Sequence, residues 1–223
     1  MPKLSERLKI IASFVPQGKS ICDVGTDHGY LPAALYLSGK YKKVTATDIR
    51  EKPLKNARNN LERLGVKGVE LVLCDGLSGV EAQNAEVVII AGMGGDVISG
   101  IMENCSYKEQ SVFILQPMTA ADTLREYLAK TGFAVIEERA ISENKKIYSV
   151  MKAVYDGKKR NLSPAQRRIG ILKPTLPENI EYIKKQLRIT AKCAEDLKNI
   201  SEKREYYEEV LSAYNKIKKI SEG

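Results

Sequence analysis

A single histidine, His28, occurs in 223 residues, which excludes repeated Cys/His modules and His-rich metal sites. Cysteines are few as well. Cys22, Cys74, Cys105 and Cys193 lack metal-finger spacing, and Cys22 and Cys74 sit in or beside apolar strand patterns. Buried thiols are therefore expected rather than ligands or disulfides, and no metal is expected. No apolar run approaches the length of a membrane span, and the opening MPKLSERLKI lacks the apolar stretch of a secretory signal. A cytoplasmic protein without a membrane partner is the expectation.

What is present begins with charge. The formal net charge of +8 is unevenly spread: residues 1–155 carry 20 basic and 18 acidic groups, residues 156–223 carry 16 and 10. A basic appendage on a nearly neutral body suits a polyanionic partner. An apolar content of 43% is ample for an α/β core.

The pattern along the chain predicts that core. A helix over 4–14 carries Leu4, Leu8 and Ile11 at helical spacing. Strands follow at 20–24, 43–48, 69–75, 86–91 and 111–116, the last ended by Pro117, with helices at 30–38, 51–64, 96–103 and 120–131 between them. Two final strands, 134–141 and 146–155, flank a SENK hairpin. The expected fold class is α/β, a seven-stranded sheet, mostly parallel with an antiparallel edge, and this layout resembles that of Rossmann-like methyltransferases. Residues 156–175 read as a polar, basic connector. Beyond it Ile180, Ile183, Leu187, Thr190, Ala194 and Leu197, then Tyr206, Val210, Ala213, Ile217 and Ile220, repeat at steps of three and four. Two helices parted near Ile200 and Ser201 are expected to form an antiparallel coiled-coil hairpin. The division is thus 1–155, an α/β domain, and 156–223, a connector with a helical domain.

ICDVGTDHGYLP, residues 21–32, lies at the carboxyl end of the first strand, where an α/β sheet receives its ligand. It is not the dinucleotide pattern G-x-G-x-x-G. Asp27 would oppose a pyrophosphate there, whereas S-adenosylmethionine has no phosphate and carries an ammonium and a sulfonium. Asp23, Asp48 and Asp75 end three successive strands: Asp23 for the ammonium or the loop, Asp48 for ribose hydroxyls, Asp75 with Gly76 for the adenine amine, with Leu77 packed near the ring. The bland reading is that these carboxylates cap the following helices. AGMGG, 91–95, is either a close-approach surface for a flat ring or a tight packing turn. No Asn/Asp-Pro-Pro-aromatic motif follows the fourth strand, which disfavours methylation of an adenine exocyclic amine.

FVPQGKSICDVGTDHGYLP (14–32), IIAGMGGDVI (89–98) and ILQPM (114–118) together resemble the bacterial tRNA (adenine(22)-N1)-methyltransferase family, over nearly the whole chain. The resemblance implies S-adenosylmethionine as cofactor and tRNA as partner. Carried over, Asp23, Gly25, Thr26, Asp27, Gly29, Asp48, Ile49, Asp75, Gly76 and Ala91 bind the cofactor, while Asp27, His28, Gly92, Met93 and Gly94 border the target base. Asp27 either holds the adenine amine or caps a helix; His28 either touches the base or bonds the loop. Gln116, Pro117 and Met118, on the edge next to the fourth strand, are expected to shape the substrate entrance, with core packing the alternative for Met118. For RNA the candidates are Lys3, Arg7, Lys9, Lys158, Lys159, Arg160, Arg167, Arg168, Lys184 and Lys185. A monomer is expected, with self-association through the tail left open. The competing readings are a methyltransferase for another RNA base or substrate and a noncatalytic RNA-binding adaptor.

Overall fold

The computed structural model describes residues 2–198 and 204–222. Helix α1 (Glu6–Phe14) starts where the Ser5 hydroxyl accepts the Leu8 amide, and it buries Ile11 and Phe14. Strands and helices then alternate: β1 (Ser20–Val24), α2 (Tyr30–Leu37), β2 (Lys43–Asp48), α3 (Glu51–Arg63), β3 (Val69–Leu73), β4 (Val87–Gly94), α4 (Gly95–Glu103), β5 (Val112–Thr119) and α5 (Ala121–Thr131). The hairpin β6 (Phe133–Glu143) and β7 (Lys146–Tyr155) closes the series. Its two-residue turn places Asn144 at φ 50° and Lys145 at φ 61°, the left-handed pair whose twist suits a tight hairpin.

The seven strands form one mixed sheet in the order β3-β2-β1-β4-β5-β7-β6. It is parallel through β5, and β7 runs antiparallel to both neighbours. Both faces are covered, so the strands read as continuous apolar runs and successive residues serve opposite cores. Ile21, Val87, Ile89 and Ile114 pack with α1 and α2, whereas Cys22, Val88, Ile90, Phe113 and Leu115 pack under α4 and α5. Strand order reverses between β1 and β4, which opens a crevice at the carboxyl edge.

Three local expectations are corrected. Pro117 does not end the fifth strand, which continues to Thr119: β7 pairs with β5 only over Val112–Leu115, so proline's missing N–H falls beyond that ladder. AGMGG is not a turn after β4. Ala91 to Gly94 are its last strand residues, paired irregularly with the extended β5, with Gly92 at φ 80°. The third strand stops at Leu73, two residues short of Asp75.

The connector contains a helix, α6 (Pro164–Ile169), started by a reciprocal capping box between Ser163 and Gln166 with proline in the first turn. Then come α7 (Pro177–Leu197) and α8 (Arg204–Glu222), which pack on each other. Ile200 and Ser201 lie outside the described residues. Ile183, Thr190 and Leu197 of α7 and Val210, Ala213 and Ile217 of α8 are buried, as their spacing predicts. The helical region is also joined to the sheet. Tyr182, Ile183 and Ile169 share a core with Ala140 and Ile147. At its edge Arg125 is 2% exposed and donates to Glu138, the Ser149 and Tyr182 hydroxyls, and the Arg167 and Arg168 carbonyls. Burial opposes the guanidinium charge, but Glu138, with a fully buried carboxylate, and Tyr182 raise the Arg125 pKa above its ordinary value.

Candidate functional site

The loop after β1 is fixed by its own backbone. The Gly25 and Thr26 amides donate to the Thr47 carbonyl at 2.8 and 3.0 Å, and Gly29 donates to the Thr26 carbonyl at 3.1 Å. Gly25 has φ 74°, and a Cβ there would overlap the terminal methyl of Met93. The glycine loop and the end of β4, far apart in sequence, therefore touch across the switch point.

The three strand-end carboxylates surround that contact unequally. Asp23 is buried, and burial pushes its pKa up to about 7, with the nearby Thr26 hydroxyl offsetting part of the rise. Asp48 is also buried and accepts the Arg50 amide at 2.9 Å. Asp75 is exposed past the end of β3, beside Gly76, whose carbonyl accepts the Thr47 hydroxyl at 3.1 Å. Leu77, expected beside a bound ring, instead packs in the core against the α4 side of the sheet, because the turn after Gly76 carries it inward. Ile49, 61% exposed, is an apolar side chain just past the end of β2, as is exposed Leu73 at the end of β3, a residue that carries only a strand signal in the sequence.

Asp27 and His28 face the opening, their side chains 64% and 53% exposed and 3.3 Å apart. Asp27 adopts φ 51°, unusual for a residue other than glycine, so the loop presents it at a local conformational cost. It does not cap the following helix: Gly29 occupies the cap of α2, and no side chain bonds there. The His28 carbonyl accepts the Asn60 side-chain amide at 3.0 Å, which anchors the loop to α3.

Arg7, a candidate RNA contact, lies largely buried in the wall of this site. Its guanidinium donates to Gln116 at 2.8 Å and to Glu143 at 3.0 Å, next to Gly92. The buried Gln116 side chain and Glu143 supply a polar seat that helical spacing alone does not reveal.

The other cations are dispersed. Lys3 and Lys9 are exposed at the start of the chain, Lys9 paired with Glu6 at 2.5 Å. Lys158, Lys159 and Arg160 follow β7 at the opposite, amino-terminal edge of the parallel strands, because Val154 of antiparallel β7 pairs with Val112 at the start of β5. Arg160 is held there by Asp156. Arg167 is paired with Glu126 and Glu209. Lys184 is exposed, whereas Arg168 and Lys185 line a cleft beside the end of β5. Among the described residues no cluster of His, Cys, Asp and Glu could hold a metal ion, and no helix is long and apolar enough to cross a membrane.

Known proteins resemble this chain in sequence and in fold. A family model described as a methyltransferase domain matches residues 4–151. The tRNA (adenine(22)-N(1))-methyltransferase of Bacillus subtilis strain 168 is 35% identical over 167 residues, 70% of this chain and 69% of the relative. The crystal structure of the B. subtilis M1A22 tRNA methyltransferase TrmK superposes with a TM-score of 0.85 at 28% identity, over 99% of this chain and all of that one. M. capricolum TrmK, solved with the cofactor product S-adenosyl-homocysteine, gives 0.79 at 26% identity over 98% of each chain. Since the sequence match covers most of both proteins and the structural match runs through the helical tail, this chain belongs to the tRNA (adenine(22)-N(1))-methyltransferase family.

Proposed function

We propose that the protein transfers a methyl group from S-adenosylmethionine to N1 of adenine 22 in tRNA. The observation that carries this reading is the contact of Gly25 with Met93, which sets a loop flanked by buried carboxylates directly against the glycine-rich end of β4. The residues fit the cofactor: a side chain at position 25 would fill the approach, Asp23 and Asp48 are buried acceptors at adjacent strand ends, and the Thr26 hydroxyl is buried without a partner in hydrogen-bond geometry. When bound, S-adenosylmethionine supplies a methyl carbon made electrophilic by the sulfonium.

Asp23 would receive the cofactor ammonium. Asp48, which accepts the Arg50 amide with one oxygen, would offer the other to ribose hydroxyls, and Asp75 with Gly76 would receive the adenine amine, with exposed Ile49 and Leu73 nearby as apolar contacts. Gly29, Ala91 and Thr26 complete that shell. Adenine N1 has its own lone pair, so the protein needs no strong base. It must align that nitrogen and exclude water, positioning that contributes several of the roughly 7–11 kcal/mol available from preorganisation. Asp27 holds the exocyclic amine and stabilises positive charge on the methylated ring. His28 orients Asp27, and Gly92, Met93 and Gly94 form the floor under the base.

Residues 1–155 act as the catalytic domain, and 156–223 as the tRNA-binding domain, with α7 and α8 as an antiparallel coiled-coil hairpin. The protein works in the cytoplasm as a monomer. Lys3, Lys9, Arg168, Lys184 and Lys185 contact RNA phosphates, and Lys158, Lys159, Arg160 and Arg167 add positive field from more distant or already paired positions. Incubation with labelled S-adenosylmethionine and total tRNA, followed by nucleoside analysis and primer extension, is expected to give N1-methyladenosine at position 22. Label at another base would retain the chemistry and reject the substrate.

Cofactor affinity carries a pH signature. With its pKa near 7, Asp23 is increasingly protonated as pH falls, and an ammonium ligand must displace that proton. The dissociation constant is expected to rise as pH drops from 8 to 6, approaching about tenfold per unit below the pKa. Calorimetry of Asp23→Asn should show weaker binding with this dependence lost. An unchanged profile would remove Asp23 from the ammonium site.

A further inference from the structure

The cleft between the catalytic body and the helical tail has features that general surface charge does not explain. It encloses about 250 Å³ and is lined by Pro117, Thr119 and Asp122 on one side and Arg168, Lys185 and Gln186 on the other. Its first wall continues the methyl-transfer site, because Met93 and Gly94 of β4 pair with Pro117 and Thr119 of β5. A strand of RNA whose target base enters over β4 must place its neighbouring backbone close to that wall.

The second wall is basic and held in place. Adjacent arginines on α6 have different roles: Arg167 is paired with Glu126 and Glu209, whereas no ion pair engages Arg168 among the described residues. The backbone that carries Arg168 is fixed, since Arg125 donates to the Arg167 and Arg168 carbonyls at 2.9 and 3.0 Å. The Lys185 ammonium donates to the Ile147 carbonyl at 3.3 Å and has further donors to offer. Among the described residues Asp122 is the one carboxylate lining the cleft, and it accepts the Thr123 amide at 3.1 Å. Two cations against one engaged carboxylate favour an anion of about −1.

We infer that this cleft is a subsite for one phosphodiester of the RNA strand flanking the flipped adenine, gripped by Arg168 and Lys185. The inference rests on the tRNA methyltransferase reading and deepens it. It assigns the pair a fixed register relative to the methyl-transfer site, so that backbone contact helps to hold the base out of its stack. Arginine is suited to this work by its planar fork of donors, and lysine by its mobile point charge.

The test is tRNA binding over a range of salt concentrations, with wild type, the Arg168→Gln/Lys185→Gln double variant and Arg168→Lys, each checked for melting temperature and cofactor affinity. The double variant is expected to bind tRNA about tenfold more weakly and to flatten the slope of log affinity against log salt by about 1–2, with cofactor affinity unchanged. Arg168→Lys should retain most of the slope, which a loss of folding would not produce. A double variant with wild-type affinity and slope would overturn the subsite while wild-type methylation of tRNA still stood. A wild-type protein that methylates no tRNA would instead bring down the parent reading.

Discussion

Replacing Asp27 by alanine is expected to lower turnover by about a hundredfold or more while cofactor affinity changes less than about threefold. Methylation at N1 places positive charge on the purine, and a carboxylate aimed at the base stabilises that charge as it develops. Asp27 is available for this role because it is exposed beside His28 and does not serve as the cap of α2. Its left-handed backbone, φ 51°, is one that aspartate and asparagine enter more readily than most residues, so the loop can present this side chain outward. Single-turnover rates measured beside calorimetric affinities make the distinction. If rate and affinity fall together, Asp27 belongs to the cofactor shell. Asp27→Asn, which keeps the shape and an acceptor but not the charge, should fall between the two.

The second large effect lies away from the chemistry. Arg125→Met leaves the fully buried Glu138 carboxylate without its cation and removes the donors to Ser149, Tyr182 and two α6 carbonyls. Breaking a buried pair by deleting one partner costs about 3–5 kcal/mol. For a chain of this size the melting temperature is then expected to fall by about 10 °C. Arg125→Met/Glu138→Leu should recover part of the loss, since the stranded charge disappears with its partner. Equal melting of the single variant and wild type would show that the joint is not held by this pair. Because Arg125 binds α6 and α7 to α5 and the sheet, its loss should also weaken tRNA binding by loosening the wall that presents Arg168 and Lys185.

Much of the site was legible because strand ends are written locally. A strand-forming run that ends at an aspartate predicts both a buried strand and an acceptor near its carboxyl edge, and Asp23 and Asp48 occupy such positions. Asp75 was placed at the correct edge but two residues beyond its strand. The capping pair Ser163 and Gln166 was equally local, and that short signal marks α6 inside what otherwise reads as connector. Arg7 was harder. Helical spacing marks it as a polar residue of α1, and nothing near it in sequence indicates that Gln116 and Glu143, more than a hundred residues away, converge on its guanidinium.

From its own order of residues the chain determined the alternating sheet, the glycine loop, the acids at the strand ends and the basic tail, since each follows from periodicity or from the conformational demands of a few neighbouring residues. Tertiary structure alone decided that Gly25 meets Met93, that Lys158 to Arg160 emerge at the far edge, and that Arg167 is ion-paired where Arg168, among the described residues, is not. Those outcomes depend on the direction of β7 and on contacts between segments distant along the chain. Side-chain type sets which partners are possible; the packing of the whole molecule determines which of them come within reach.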